Sequence, residues 1–280
     1  MKLTIIALPF LLIMAVWAQQ QERSVREETQ VKRGITLAAQ GDLDGAIAEF
    51  RNAIHLSPEN PSAHCSFGNA LYNKGDLDGA RTEYLKAIRF KSDYPEAHYG
   101  LGNTLRDAGK LDNSIAEFRE AIHLNPYYAE AHYGLGTGLQ AKGDLDGAMT
   151  EHREAIRLKP DHAEAHFGLA STLGAKGELD NAIAEYGMAI RLRPDYVEAR
   201  VNLGIVLYFK GNVDIVITEF REAIRIKPDF APAHFNLGKV LEEKGDLQSA
   251  LEEYRRALNL NKKNNVYREN YSKLSKKLEK

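Results

Sequence analysis

The sequence predicts an all-α solenoid built from helix-turn-helix repeats. Three observations carry that expectation. From Glu27 the chain of 280 residues falls into register in blocks of 34. Gly holds the fifteenth place of every block and Ala the twenty-seventh. Between these fixed points the apolar residues recur at helical spacing. Self-similarity at such a period is the signature of stacked repeats.

The first element is the N-terminal segment MKLTIIALPFLLIMAVWA. Lys2 precedes an apolar run from Leu3 to Ala18, broken only by Thr4 and Pro9. Val16 and Ala18 stand at −3 and −1 to a cut before Gln19. A charged start, a short apolar core and small residues at the cut describe a secretory signal peptide over 1–18. A bilayer span needs about 20 apolar residues, so an uncleaved membrane anchor is the alternative. Export, to a periplasmic or extracellular space, is the expected location. The polar stretch from Gln19 to Arg26 is set apart as a linker.

Seven blocks follow, at 27–60, 61–94, 95–128, 129–162, 163–196, 197–230 and 231–264. Each reads as two helices, A and B. In the third block Leu101 and Leu105 lie on one face of helix A. The Gly at position 15 (Gly41, Gly75, Gly109, Gly143, Gly177, Gly211 and Gly245) supplies the left-handed residue that ends helix A. The polar residue after it, acidic in most blocks, suits the positive start of helix B. Helix B of the fourth block carries Ala148, Ala155, Ile156 and Leu158, and stops before Pro160. Small residues at positions 8, 20 and 27 let the helices approach closely, so a larger side chain there overpacks. Residues 265–280 form a last amphipathic helix, with Val266, Tyr267, Tyr271, Leu274 and Leu278 on one face. Lys273, Lys276, Lys277 and Lys280 lie opposite. A stack needs a polar-backed end, so this segment is expected to be the cap. From Lys262 onward it holds seven Lys and Arg against two acids, a net of +5.

The block resembles the tetratricopeptide repeat: aromatic, two residues, Leu-Gly, two residues, aromatic, then Ala, three residues, aromatic, then Pro. It stands as His98, Leu101-Gly102, Leu105, Phe118 and Pro126 in the third block. In the fifth it is His166, Leu169-Ala170, Leu173, Ala182, Tyr186 and Pro194. The departures are His for Trp at the first place, Leu for Tyr at the third, Gln30 and Arg33 in the first block, and Val216 in the sixth. The resemblance implies a right-handed superhelix whose helix-A face lines a concave groove for partner peptides.

Composition narrows the function. A net charge of −2 excludes nucleic-acid binding through bulk positive charge. One cysteine, Cys65, excludes an internal disulfide and cysteine-rich zinc sites. His64, His98, His132, His166 and His234 share position 4, where the repeat packs a large side chain between helices. Successive layers are separated by about a helix spacing of 8–10 Å, too far for ligands at about 2 Å from one metal. No metal and no cofactor is expected. The carboxylates are spread by the repeat rather than gathered, and the GDLDGA turns lack the Gly-Lys-Ser/Thr of a phosphate loop. The chain is therefore read as non-enzymatic.

Positions 2, 5, 9 and 12 share one face of helix A. Position 2 is Glu96, Glu130, Glu164 and Glu198. Position 5 is Tyr99, Tyr133, Phe167, Val201 and Phe235, with Cys65 in the second block. Position 9 is Asn69, Asn103, Thr137, Ser171 and Lys239. Position 34, in the turn before the next helix A, adds Tyr94, Tyr128, Tyr196 and Phe230. Part of these aromatics is expected to bridge adjacent repeats, and the rest to form a binding stripe. In repeats of this kind that hold a carboxylate, Lys stands at positions 2 and 5; Glu at position 2 removes that clamp here. Residues 27–261 hold 27 Lys and Arg against 36 acids, a net of −9, so a neutral to basic protein or peptide partner fits best. The reading is a protein-binding scaffold of the cell envelope. The alternatives are the specificity module of a modifying enzyme, such as a glycosyltransferase acting in trans, and a membrane-tethered adaptor.

Overall fold

The computed structural model describes residues 4–279, with side chains at Met14 and from Trp17 onward. Lys2 and the side chain of Val16, used above to place the signal segment, lie outside the described residues. Every element among the described residues is a helix. The chain divides into two compact units, residues 1–142 and 143–280.

The first unit holds α1 (Thr4–Ala39), α2 (Leu43–Leu56), α3 (Pro61–Lys74), α4 (Leu77–Phe90), α5 (Pro95–Asp107), α6 (Leu111–Leu124) and α7 (Ala129–Ala141). The second holds α8 (Leu145–Leu158), α9 (Ala163–Ala175), α10 (Leu179–Leu192), α11 (Val197–Phe209), α12 (Val213–Ile226), α13 (Ala231–Glu243), α14 (Leu247–Leu260) and α15 (Asn265–Leu278). Within each unit consecutive helices pack antiparallel as hairpins, and each A helix also meets the next one, as α3 meets α5 and α9 meets α11. Residues 19–26, set apart in the sequence as a linker, are exposed turns of α1. The stretch QQQERSVR contains neither Gly nor Pro, so nothing in it stops a helix.

The turn between A and B helices is the same in all seven repeats. Its glycine has φ between 74° and 86°, a left-handed conformation that costs side-chain-bearing residues energy. Where Asp follows, it caps helix B: Asp42, Asp76 and Asp144 accept from the backbone N–H of Gly45, Gly79 and Gly147 at 2.9–3.0 Å. Asp246 does the same for Ser249 at 3.2 Å. Lys110, Glu178 and Asn212 make no such bond, so of the five blocks with an acidic residue there, only Glu178 does not cap.

Close approach is organised by the aromatic at position 24 of helix B. Phe118 is 0% exposed. A Cβ at Gly102 would fall 2.7 Å from its ring, and a Cβ at Gly134, on α7, also 2.7 Å. Tyr84 is held the same way between Gly68 and Gly100, at 2.8 and 2.5 Å. The ring thus wedges between the A helix of its own repeat and that of the next, at the two places where backbone replaces side chain. The alanines at position 27 complete this seam, each fully buried. In the sixth repeat Val216 stands where Ala is usual and is itself 0% exposed.

Outside this core, Lys at position 14 reaches back to Asp at position 18 of the preceding repeat. The pairs are Lys74–Asp44, Lys142–Asp112, Lys176–Asp146, Lys210–Asp180 and Lys244–Asp214. All the aspartates are exposed, so solvent screens these pairs and they add little to stability. At the far end, α15 buries Tyr267 and Leu274, while Arg268 is exposed and Ser272 and Ser275 are half-buried.

Candidate functional site

In the first unit Tyr99, on α5, is half-buried. Its ring lies 5.1 Å from Tyr128 and 5.9 Å from Phe118. Tyr94, in the turn before α5, carries the Lys91 ammonium 4.9 Å above its ring. Asn103 is half-buried and Glu96 exposed. On α7, Glu130, Tyr133 and Thr137 are half-buried, and the Thr137 hydroxyl donates to the Tyr133 carbonyl at 3.0 Å.

The second unit repeats the arrangement. Phe167, on α9, is 5.0 Å from Tyr196 and 5.8 Å from Tyr186. Phe235, on α13, is 4.8 Å from Tyr267 and 5.7 Å from Tyr254. The Arg193 guanidinium sits 3.5 Å over the Tyr196 ring, and Lys227 5.5 Å over Phe230. Ser171 and Tyr186 share a hydrogen bond of 3.0 Å. Glu164 is held by Arg193 at 2.8 Å and faces His162 Nδ1 at 3.0 Å. Glu198 is exposed.

The position-5 aromatic therefore packs one side on the wedge ring of its own repeat. Another side meets the aromatic that opens the next repeat. Offset and tilted ring pairs at these separations are attractive. The rings are half-buried rather than buried, so each keeps a part open on the A-helix face. Tyr196 and Val201 are the exceptions, buried at 9% and 3% exposure. The acidic edge is likewise split: Glu96 and Glu198 are exposed, whereas Glu164 is engaged. Cys65, placed at position 5 by the sequence, is buried, and burial pushes its thiol up to about 11. A thiol so shifted is a small core residue and not a nucleophile at neutral pH.

Two features escaped the reading of the sequence. On α11, Ile205, Tyr208 and Phe209 line a small cavity of about 120 Å³ with Phe220 and with Asn236, Lys239 and Val240 of helix α13. Phe209 is 71% exposed. The other repeats carry Ala, Asn, Asp or Glu at that place, and this contrast was the available signal. The second is glutamate at position 23, present in all seven repeats as Glu49, Glu83, Glu117, Glu151, Glu185, Glu219 and Glu253. It faces the position-4 side chain across the hairpin, as Glu117 faces His98 at 2.7 Å. Among the described residues no three His, Cys, Asp or Glu gather as a metal site, and no helix is long and apolar enough to cross a membrane.

A family model described as TPR repeat matches residues 34–75, 68–105, 102–137, 139–177, 173–211 and 210–245. A second, described as Tetratricopeptide repeat, matches residues 231–264. No curated protein matches the chain in sequence. Among solved structures the chain is similar in fold to one in the Cut9–Hcn1 hetero-tetramer of APC/C, with 15% identity and a TM-score of 0.77. That match covers 86% of this chain and 48% of the other, so this chain spans about half of that protein's length. It is also similar to YrrB, a TPR protein with an unusual peptide-binding site, at 26% identity and a TM-score of 0.51, covering 66% of this chain and 95% of that one. MamA is similar at 28% identity and a TM-score of 0.51, covering 57% and 94%.

Proposed function

The chain belongs to the tetratricopeptide repeat family, whose members are generally scaffolds that bind proteins or peptides, and from that premise we propose that it is a non-enzymatic scaffold holding a partner segment along its A-helix face. The observation that carries this reading is the half-open aromatic set. Tyr99 and Tyr128 in one unit, and Phe167 and Phe235 in the other, keep ring surface uncovered on the face where Glu96 and Glu198 are exposed. Half-open rings offer contact area, and a fixed position costs little ordering when a partner binds. A neutral to basic segment suits the free carboxylates. YrrB, with its peptide-binding site, supports a peptide as the occupant. The apolar slot beside Phe209 would accept one side chain of that segment.

We further propose, from the N-terminal segment, that the scaffold is exported to the cell envelope and loses its first 18 residues. N-terminal sequencing of the exported protein should begin at Gln19; an intact Met1 in the membrane fraction makes the segment an anchor and the protein a tethered adaptor. The binding reading is tested by titrating a cross-linked partner segment, made as a peptide, against the wild type and a Glu96→Lys/Glu198→Lys variant. Weaker binding with an altered salt dependence, at unchanged melting, is expected. Equal affinity for both proteins would remove the acidic edge from the account.

A further inference from the structure

The position-4 side chain is bonded at both ends in the same way in repeat after repeat. His64 places Nδ1 2.6 Å from Glu83 and Nε2 2.9 Å from the Pro58 carbonyl. His98 places them 2.7 Å from Glu117 and 3.2 Å from the Ser92 carbonyl. His166 places them 2.6 Å from Glu185 and 3.1 Å from the Pro160 carbonyl. His234 places them 2.5 Å from Glu253 and 2.9 Å from the Pro228 carbonyl. The glutamate comes from helix B of the same repeat, and the carbonyl from the turn that closes the repeat before.

A carbonyl accepts only, and so does an ionised carboxylate. A neutral imidazole has one N–H, so it satisfies one of these two contacts and sets a lone pair against the other; an imidazolium satisfies both. Moving the proton to the carboxyl would also balance the contacts. Two of the glutamates are held against that: Lys86 donates to Glu83 at 2.8 Å and Arg256 to Glu253 at 3.3 Å. The sixth repeat supplies an internal control. There Arg200, a permanent cation with several donors, makes the same two contacts, to Glu219 at 3.1 Å and to the Pro194 carbonyl at 3.4 Å.

We propose that His98, His166 and His234 act as protonated cross-links, each tying its own helix pair to the turn of the repeat before, so that acidity sets how tightly successive repeats are held together. Arg200 is the version of this link that does not titrate. The cross-links are buried or nearly so, which makes each charge-assisted bond stronger than a surface pair.

The groups facing these rings fix the direction of the response. The bond to Glu117 raises His98 above its ordinary value of 6.5 against the pull of burial, with Glu120 adding to it. The bond to Glu185 does so for His166, opposed by burial and by Arg191. For His234 burial acts downward, and Glu253 with the Pro228 carbonyl outweighs it despite Arg256. On the partner side burial pushes Glu83 up, and His64 with Lys86 outweighs it, so that carboxyl lies below 4.5. A raised histidine contributes stability that is complete below about pH 6.5 and is lost as pH rises through the folded value. A lowered glutamate contributes stability that is lost as pH falls below about 4.5. The links are therefore intact in the mildly acidic range and release as pH rises through the raised folded values of the histidines. His152 runs the other way in a lower range, since burial and His162 lower it to about 4.

The test uses the full chain. Histidine-selective nitrogen NMR at mildly acidic pH should show ring pairs with both nitrogens protonated. Melting measured from about pH 6 to about pH 9 should fall by several degrees in the wild type. An H98R/H166R/H234R variant, copying the sixth repeat, should lose most of that slope and keep its stability at the alkaline end. Ladder imidazoles with a single N–H at the acidic end, or a wild-type melting temperature that is flat or rises toward alkaline pH, would overturn the proposal. The NMR arm needs only the wild type, so a variant that fails to fold leaves the proposal falsifiable.

Discussion

The wedge ring gives a prediction in which one substitution has opposite signs at two sites. Gly102 and Gly187 both lie inside helices, α5 and α10. Replacing a mid-helix Gly by Ala gains up to about 1 kcal/mol from propensity alone. At Gly187 a Cβ meets nothing within 4 Å, so Gly187→Ala should gain that amount. At Gly102 a Cβ would lie 2.7 Å from Phe118 Cε1 and 2.8 Å from Cδ1. The ring cannot retreat, because Gly134 closes on its far side at the same distance. Overpacking of this kind costs about 1–3 kcal/mol, which offsets or exceeds the propensity gain, so Gly102→Ala should destabilise by up to about 2 kcal/mol. At about 2–4 °C per kcal/mol for a chain of this size, thermal melting followed by circular dichroism resolves the two. Combining Gly102→Ala with Phe118→Leu should cost less than the sum of the single changes, since the smaller side chain makes room. If Gly102→Ala stabilises as much as Gly187→Ala does, the repeats are not held apart at that distance by the ring, and the wedge is the wrong account of the seam.

Deleting residues 266–280 strips Tyr267 from Phe235 and Leu274 from its burial; the melting temperature should fall and self-association appear in light scattering, and an unchanged monomer would make α15 a tail. His152 takes the place held by Phe or Tyr in the other repeats and is fully buried. A base lowered from 6.5 to about 4 loses stability as pH falls across that interval, on the order of 3 kcal/mol. His152→Phe should remove that acid-side loss in urea titrations, and an unchanged acid limb would show that another group causes it.

The parts of the fold that repeat in the one-dimensional pattern were legible before any coordinates. Gly at position 15 announces a left-handed turn by its own stereochemistry, and Ala at position 27 announces a close approach. Where the rule is local, exceptions show too: Lys110 and Asn212 follow the turn glycine and make no side-chain cap. What stayed hidden lies across the hairpin. His98 and Glu117 are 19 positions apart, and helical periodicity compares residues three or four apart, so a fixed Glu at position 23 carried no visible partner. The aromatic face was legible as a stripe but not in its depth. Tyr99 was placed on the A-helix face by spacing, and only the packing shows that Tyr128 covers part of its ring. Phe209 went unread because attention to what the repeats share passes over the one that differs.

Two exposed residues on the A-helix face, Glu96 and Glu198, and two exposed on B helices, Arg119 and Arg221, allow the central claim to be measured without disturbing the core. A photo-cross-linking side chain placed at each in turn, in the full chain in its native setting, reports which face holds the partner. The account expects adducts of a partner segment from position 96 or position 198, each within its own unit, and none from 119 or 221. Adducts of that segment confined to 119 and 221 would contradict it and move the binding surface to the B helices.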